Sequence, residues 1–196
     1  QSELVPHSDG LIDPVGDHAA TRAPGLLQKY AGRALLITTG ACAVHCRYCF
    51  RRHFPYAEAA GDHLRQGLAW IREDPSLSEV ILSGGDPLMI DDRGLGHLLD
   101  ELETIAHVRR LRMHTRLPLV LPSRISAGLL ERLQRSRLQT VVVIHANHPQ
   151  ELDSAVAEAL VALKAAGVQL LNQSFLLRDI TAQANLLAEL SERLFA

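Results

Sequence analysis

Thiols, amines and aromatic rings are all scarce in this sequence. Its 196 residues include three cysteines, and eighteen of its twenty basic residues are arginine, so Lys29 and Lys164 are its only lysines. An odd cysteine count rules out a closed set of internal disulfides. All three cysteines fall within eight residues, too short a loop to staple distant elements. Two lysines leave few positions for any chemistry that needs an amine to form a Schiff base. No apolar run approaches the roughly 20 residues of a membrane-spanning helix, and no signal-peptide pattern is present. The formal charge is −2 with no basic stripe, so nothing global attracts nucleic acid or a membrane surface. What is present, 47% hydrophobic and 21% charged residues, is the composition of one globular domain and excludes disorder. Unpaired thiols fit a reducing compartment, and a cytoplasmic location is expected.

The cysteines sit in the stretch around which the chain is organised, Thr38 to Tyr56, TTGACAVHCRYCFRRHFPY. Cys42, Cys46 and Cys49 are spaced C-x₃-C-x₂-C. Three local thiols point to metal ligation or redox chemistry. A structural zinc would need a fourth ligand, such as His45, His53 or a remote group. An iron–sulfur cluster takes one thiolate per ligated iron, so three cysteines would hold a four-iron cluster with one iron open. The spacing alone leaves both readings standing.

The rest of the chain alternates strands and helices. A polar, turn-rich lead-in over 1–28 precedes a core over 29–196. Short apolar, β-branched runs predict strands at Ala34–Thr39, Glu79–Ser83, Arg110–Thr115, Thr140–Ala146 and within Val168–Leu177. Between them, leucines at helical spacing predict amphipathic helices: Leu64, Leu68 and Ile71, then Leu95 to Ile105 behind an Asp91 cap, then Leu129 to Leu133 behind a Ser126 cap. Ala155–Ala166 forms another, ended by Gly167, and Leu186 to Leu194 marks the last. Five βα units imply an α/β fold with a parallel sheet and helices outside. They suit an open doubly wound sheet or a partial (β/α) barrel.

In such folds ligands bind where the strands end. The cysteines follow the first strand and Gly84-Gly85-Asp86 the second. His114, Thr115 and Arg116 close the third, His145, Asn147 and His148 the fourth, and Asn172, Gln173 and Ser174 the fifth. Polar and metal-binding groups thus gather at one rim. Taken singly, each has a plainer reading: a Gly-Gly-Asp-Pro turn, a hydrogen-bonded histidine, a solvated arginine.

The C-x₃-C-x₂-C loop with Tyr48 and Phe50 beside Cys49 resembles the cluster loop of the radical S-adenosylmethionine superfamily. The longer string CAVHCRYCFRRHFPYAE, together with DPVGD, APGLLQKY, SGGDP and NHP, resembles its lysine 2,3-aminomutase family, and within that the branch serving elongation factor P. The resemblance runs from about Gly25 to Phe195. It implies a partial parallel barrel of radical S-adenosylmethionine type, with Cys42, Cys46 and Cys49 holding a [4Fe-4S] cluster. It implies that Gly84, Gly85, Asp86, His145 and Gln173 contact S-adenosylmethionine, that Arg51 grips the carboxylate of L-lysine, and that Arg33 lies near pyridoxal 5′-phosphate. The implied reaction converts L-lysine to β-lysine by moving the amino group from carbon 2 to carbon 3. A flavodoxin or ferredoxin would donate the electron, and the product would feed modification of elongation factor P. Catabolic lysine 2,3-aminomutation is the alternative within the family, and a non-catalytic zinc module the alternative outside it. The family's pyridoxal-phosphate lysine lies in a segment beyond the barrel, and neither Lys29 nor Lys164 matches it. The chain to Ala196 is therefore expected to be the cluster-bearing part of a longer enzyme, incomplete for the mutase step.

Overall fold

The computed structural model describes residues 10–57 and 62–195. The first nine residues of the lead-in and Glu58, the last residue of the loop motif, lie outside them.

Seven strands form one sheet in sequence order. The first two, β1 (Thr21–Ala23) and β2 (Leu26–Tyr30), make an antiparallel hairpin, and β2 pairs antiparallel with β3 (Arg33–Thr39). From there the sheet is parallel: β3, β4 (Glu79–Gly84), β5 (Arg110–Thr115), β6 (Gln139–Ile144) and β7 (Gln169–Asn172). Each parallel strand is followed by helix: α1 (His63–Glu73), α2 (Asp92–Glu103), the short α3 (Leu117–Val120) with α4 (Ala127–Gln134), α5 (Ser154–Ala165) and α6 (Ala184–Phe195). The five expected βα units are all there, forming an unclosed parallel α/β arc. The hairpin is new: β1 and most of β2 lie in the 1–28 stretch whose prolines and glycine suggested a loose lead-in, and β2 continues to Tyr30. Leu26 and Leu27 explain it, since both are buried and the pairing with β3 satisfies their backbone.

The helix signals act as read. Asp91 Oδ1 accepts from Gly94 N at 2.7 Å and Ser126 Oγ from Leu129 N at 3.0 Å, each satisfying an amide that a helix start leaves free. Leu95, Leu98, Leu99 and Leu102 turn α2's apolar stripe into the sheet. There they meet Val80, Leu82, Leu111 and Met113, all fully buried. Each parallel strand returns to the next through a helical crossover, so all five C-terminal ends face the same way.

Candidate active site

A cavity of about 180 Å³ opens at those strand ends. Cys42, Cys46, Cys49, Arg51, Gly84, Gly85, Asp86, His145 and Gln173 all line it, with Tyr48, His114, Arg116 and Phe175. Arg33 does not. As the first residue of β3 it lies at the opposite end of the strand, 3.8 Å from Glu79, and lines a neighbouring cavity of about 580 Å³. Leu35, Phe50, Arg51 and Gln173 line both spaces, so the two adjoin. His45 and His53 are exposed on the loop.

The cysteine loop leaves β3 and is tied down on two sides. On one side the Tyr48 hydroxyl accepts from Arg116 and from Asn147 Nδ2, and its ring stacks on Phe175 with centroids 4.3 Å apart. Arg116 also reaches Glu151 at 3.2 Å and Cys46 Sγ at 3.7 Å. The loop is thereby joined to the ends of β5, β6 and β7 at once. On the other side the Tyr56 hydroxyl donates to Gly84 O at 2.8 Å, and Arg51 donates to Asp17 and Ser83.

Gly84 and Gly85 bring backbone against backbone. Gly84 has φ +119°, a conformation that side chains disfavour. Gly85 N donates to Thr39 O and Asp86 N to Ala41 O, and a Cβ on Gly85 would sit 2.2 Å from Ala41 O. The close approach the glycines permit is therefore to the cysteine loop's own first residues. Asp86 completes the tie: buried, it accepts from Thr115 Oγ1, Arg116 N and Leu88 N at 2.7 to 3.0 Å. Burial nevertheless raises its pKa, those hydrogen bonds opposing.

Desolvation sets the electrostatics of the cavity wall. It lowers His145 to about 4, assisted by the charge of Arg116. His114 also falls to about 4, chiefly through burial and then through His145, whose ring stands edge-on 5.8 Å away. Both are neutral at pH 7. Burial, with Asp86 and the other two thiols, raises Cys42 to about 11. His145 Nε2 and Arg116 Nε are buried and have no partner among the described residues, so the wall presents polar atoms for a ligand to satisfy.

All three cysteines are free thiols. Among the described residues no three His, Cys, Asp or Glu side chains converge as the ligands of one ion do. A multi-iron cluster asks for a different layout, with each thiolate on its own iron. Three free thiols around one cavity, beside unpartnered polar atoms, suit that donor set.

Asp17, Glu151 and Phe175 were not singled out from the sequence. Each acts by reaching another element, and only the aromatic Tyr48 flanking Cys49 hinted that the loop needs an anchor.

No family model matches the chain. Among curated proteins it is 49% identical over 197 residues to the L-lysine 2,3-aminomutase of Escherichia coli (strain K12), covering 100% of this chain and 57% of that protein. It is 48% identical over 195 residues to the L-lysine 2,3-aminomutase of Haemophilus influenzae, covering 98% of this chain and 58% of that one. The L-lysine 2,3-aminomutase of Clostridium subterminale is 34% identical over 195 residues, 98% of this chain and 47% of that one. The chain thus spans about half the length of these curated relatives.

Proposed function

The chain is a homologue of L-lysine 2,3-aminomutases along its whole length, and on that premise we propose that it is the cluster-bearing α/β part of a radical S-adenosylmethionine isomerase that makes β-lysine from L-lysine. One observation carries the reading: the C-x₃-C-x₂-C thiols share a single cavity with the Gly-Gly-Asp turn, His145 and Gln173, each from a different strand end. When bound, the cluster with S-adenosylmethionine supplies one-electron chemistry, and pyridoxal 5′-phosphate supplies a hold on the migrating amine.

This chain's residues prepare the space. Cys42, Cys46 and Cys49 would hold the cluster, and three thiolates would leave one of four irons for the sulfonium cofactor. Neutral His145 offers its unpartnered Nε2 to the sulfonium cofactor, and Gln173 stands beside it at the seam of the two cavities. Arg51, at the same seam, receives the lysine carboxylate with its planar fork. The aliphatic and aromatic part of the wall, Leu35, Tyr48, Phe50 and Phe175, keeps water from reactive species. The β-lysine serves elongation factor P modification, with a flavodoxin or ferredoxin as electron source and the cytoplasm as its place.

The test is the full-length gene product, reconstituted without oxygen and given reductant, S-adenosylmethionine, pyridoxal 5′-phosphate and L-lysine. Formation of β-lysine is expected. Cofactor cleavage to 5′-deoxyadenosine with L-lysine left unchanged would reject the mutase reading while keeping the cluster.

A further inference from the structure

We propose that Asp17 is a positioning residue for Arg51, setting the guanidinium so that its remaining donors meet a carboxylate. The inference rests on Arg51 being the substrate-carboxylate residue and names what makes it so.

Asp17 comes from the segment before β1 yet is only 2% exposed. Its own backbone is fixed: Asp17 N and His18 N both donate to the Asp13 carboxylate at 2.9 Å. One carboxylate oxygen takes Arg51 Nε at 2.7 Å, and the other lies 2.6 Å from Lys29 Nζ. Ser83 Oγ takes Arg51 Nη1 at 3.1 Å, and the Phe50 ring lies 4.8 Å from the guanidinium carbon.

Two of the three guanidinium nitrogens are therefore held by fixed groups. Nη2 donates to nothing among the described residues, and Arg51 lines both cavities. A planar fork fixed at Nε and Nη1 cannot rotate, so its free donors are set in advance. Asp17 and Arg51 form a buried, charge-balanced pair, whereas the exposed Lys29 is shared between Asp17, Val15 O and the Asp13 carboxylate. Held there as a cation, Arg51 gives a carboxylate charge-assisted hydrogen bonds that a carboxamide receives only in weaker form.

The test uses full-length, cofactor-loaded protein and compares KM for L-lysine and for L-lysinamide, which lacks the anionic carboxylate. Asp17→Asn keeps the shape and removes the charge; Asp17→Glu restores the charge at a different reach. For Asp17→Asn the KM for L-lysine is expected to rise roughly tenfold, as for loss of a charge-assisted contact, with little change in kcat, in KM for lysinamide or in S-adenosylmethionine binding. Asp17→Glu should recover part of that rise. Equal losses for lysine, lysinamide and S-adenosylmethionine would overturn the proposal, because they mark a purely structural residue. Arg51→Lys separates the premise. If it leaves the preference for lysine over lysinamide intact, the carboxylate reading of Arg51 fails and the role of Asp17 with it. If Arg51→Lys abolishes the preference and Asp17→Asn does not, only the role of Asp17 fails.

Discussion

Burial of two histidines makes the site sensitive to acid. His114 and His145 titrate near 4 in the folded chain against a usual 6.5. The unfolded chain therefore binds more protons between those values. Stability from keeping the pair neutral is complete above about pH 6.5 and is lost as pH falls toward 4, with a slope of at most about 1.4 kcal/mol per pH unit for each histidine. Urea midpoints between pH 7.5 and 4.5 should fall more steeply for the native sequence than for His114→Gln with His145→Gln. Parallel curves would show that the rings are not held neutral. A second residue-scale contrast concerns glycine. Gly85→Ala puts a methyl carbon 2.2 Å from a backbone oxygen that cannot yield, whereas Gly96, inside α2, has open space around it. Gly85→Ala should cost about 1–3 kcal/mol, and Gly96→Ala should add about 0.5–1 kcal/mol by stiffening the unfolded chain. Both are read by equilibrium denaturation.

Among the elements, the cysteine loop has no regular structure of its own and depends on anchors. Tyr48 supplies one of them, accepting from Arg116 and Asn147 and stacking on Phe175. Tyr48→Phe keeps the stack and leaves two partly buried donors without that acceptor, at a cost of about 1–3 kcal/mol. Trypsin should then cut after Arg47 and Arg52 sooner than in the native protein. An unchanged cleavage rate would mean that stacking alone secures the loop. The regular elements were legible because local rules decide them: alternation and β-branching marked the strands, leucine spacing the helices, and Asp91 and Ser126 their starts. The hairpin of β1 and β2 was not, because its Pro24 read as a breaker until β3 is there to pair with Leu26 and Leu27. Strand-end position marked much of the cavity lining, the cysteines, Gly84 to Asp86, His114 to Arg116, His145 and Gln173, whereas Asn147, His148, Asn172 and Ser174, placed at the same rim, do not line it. Asp17 was not, since its partner Arg51 is 34 positions away and nothing local marks the pair.

At the scale of the whole molecule the sheet is secured unevenly. β4 and β5 have neighbours on both edges and a fully buried leucine layer. β7 pairs only with β6 among the described residues, alternates exposed and half-buried positions, and is followed by an α6 whose one buried residue is Leu190. Among the strands and helices, amide exchange should therefore be fastest in β7 and α6 and slowest in β4 and β5; uniform protection of these elements would contradict that gradient. The candidate site spans that gradient: the cysteine loop, the Gly-Gly-Asp turn and Arg116 belong to the well-braced part, and Gln173 and Phe175 follow β7. Whether this place holds an iron–sulfur cluster is decided most directly by anaerobic reconstitution followed by metal and sulfide analysis and electron paramagnetic resonance. A brown protein with about four irons and about four sulfides per chain is expected, with a reduced-state signal that S-adenosylmethionine perturbs through the open iron. One tightly held zinc without sulfide, or a cluster signal indifferent to S-adenosylmethionine, would contradict it.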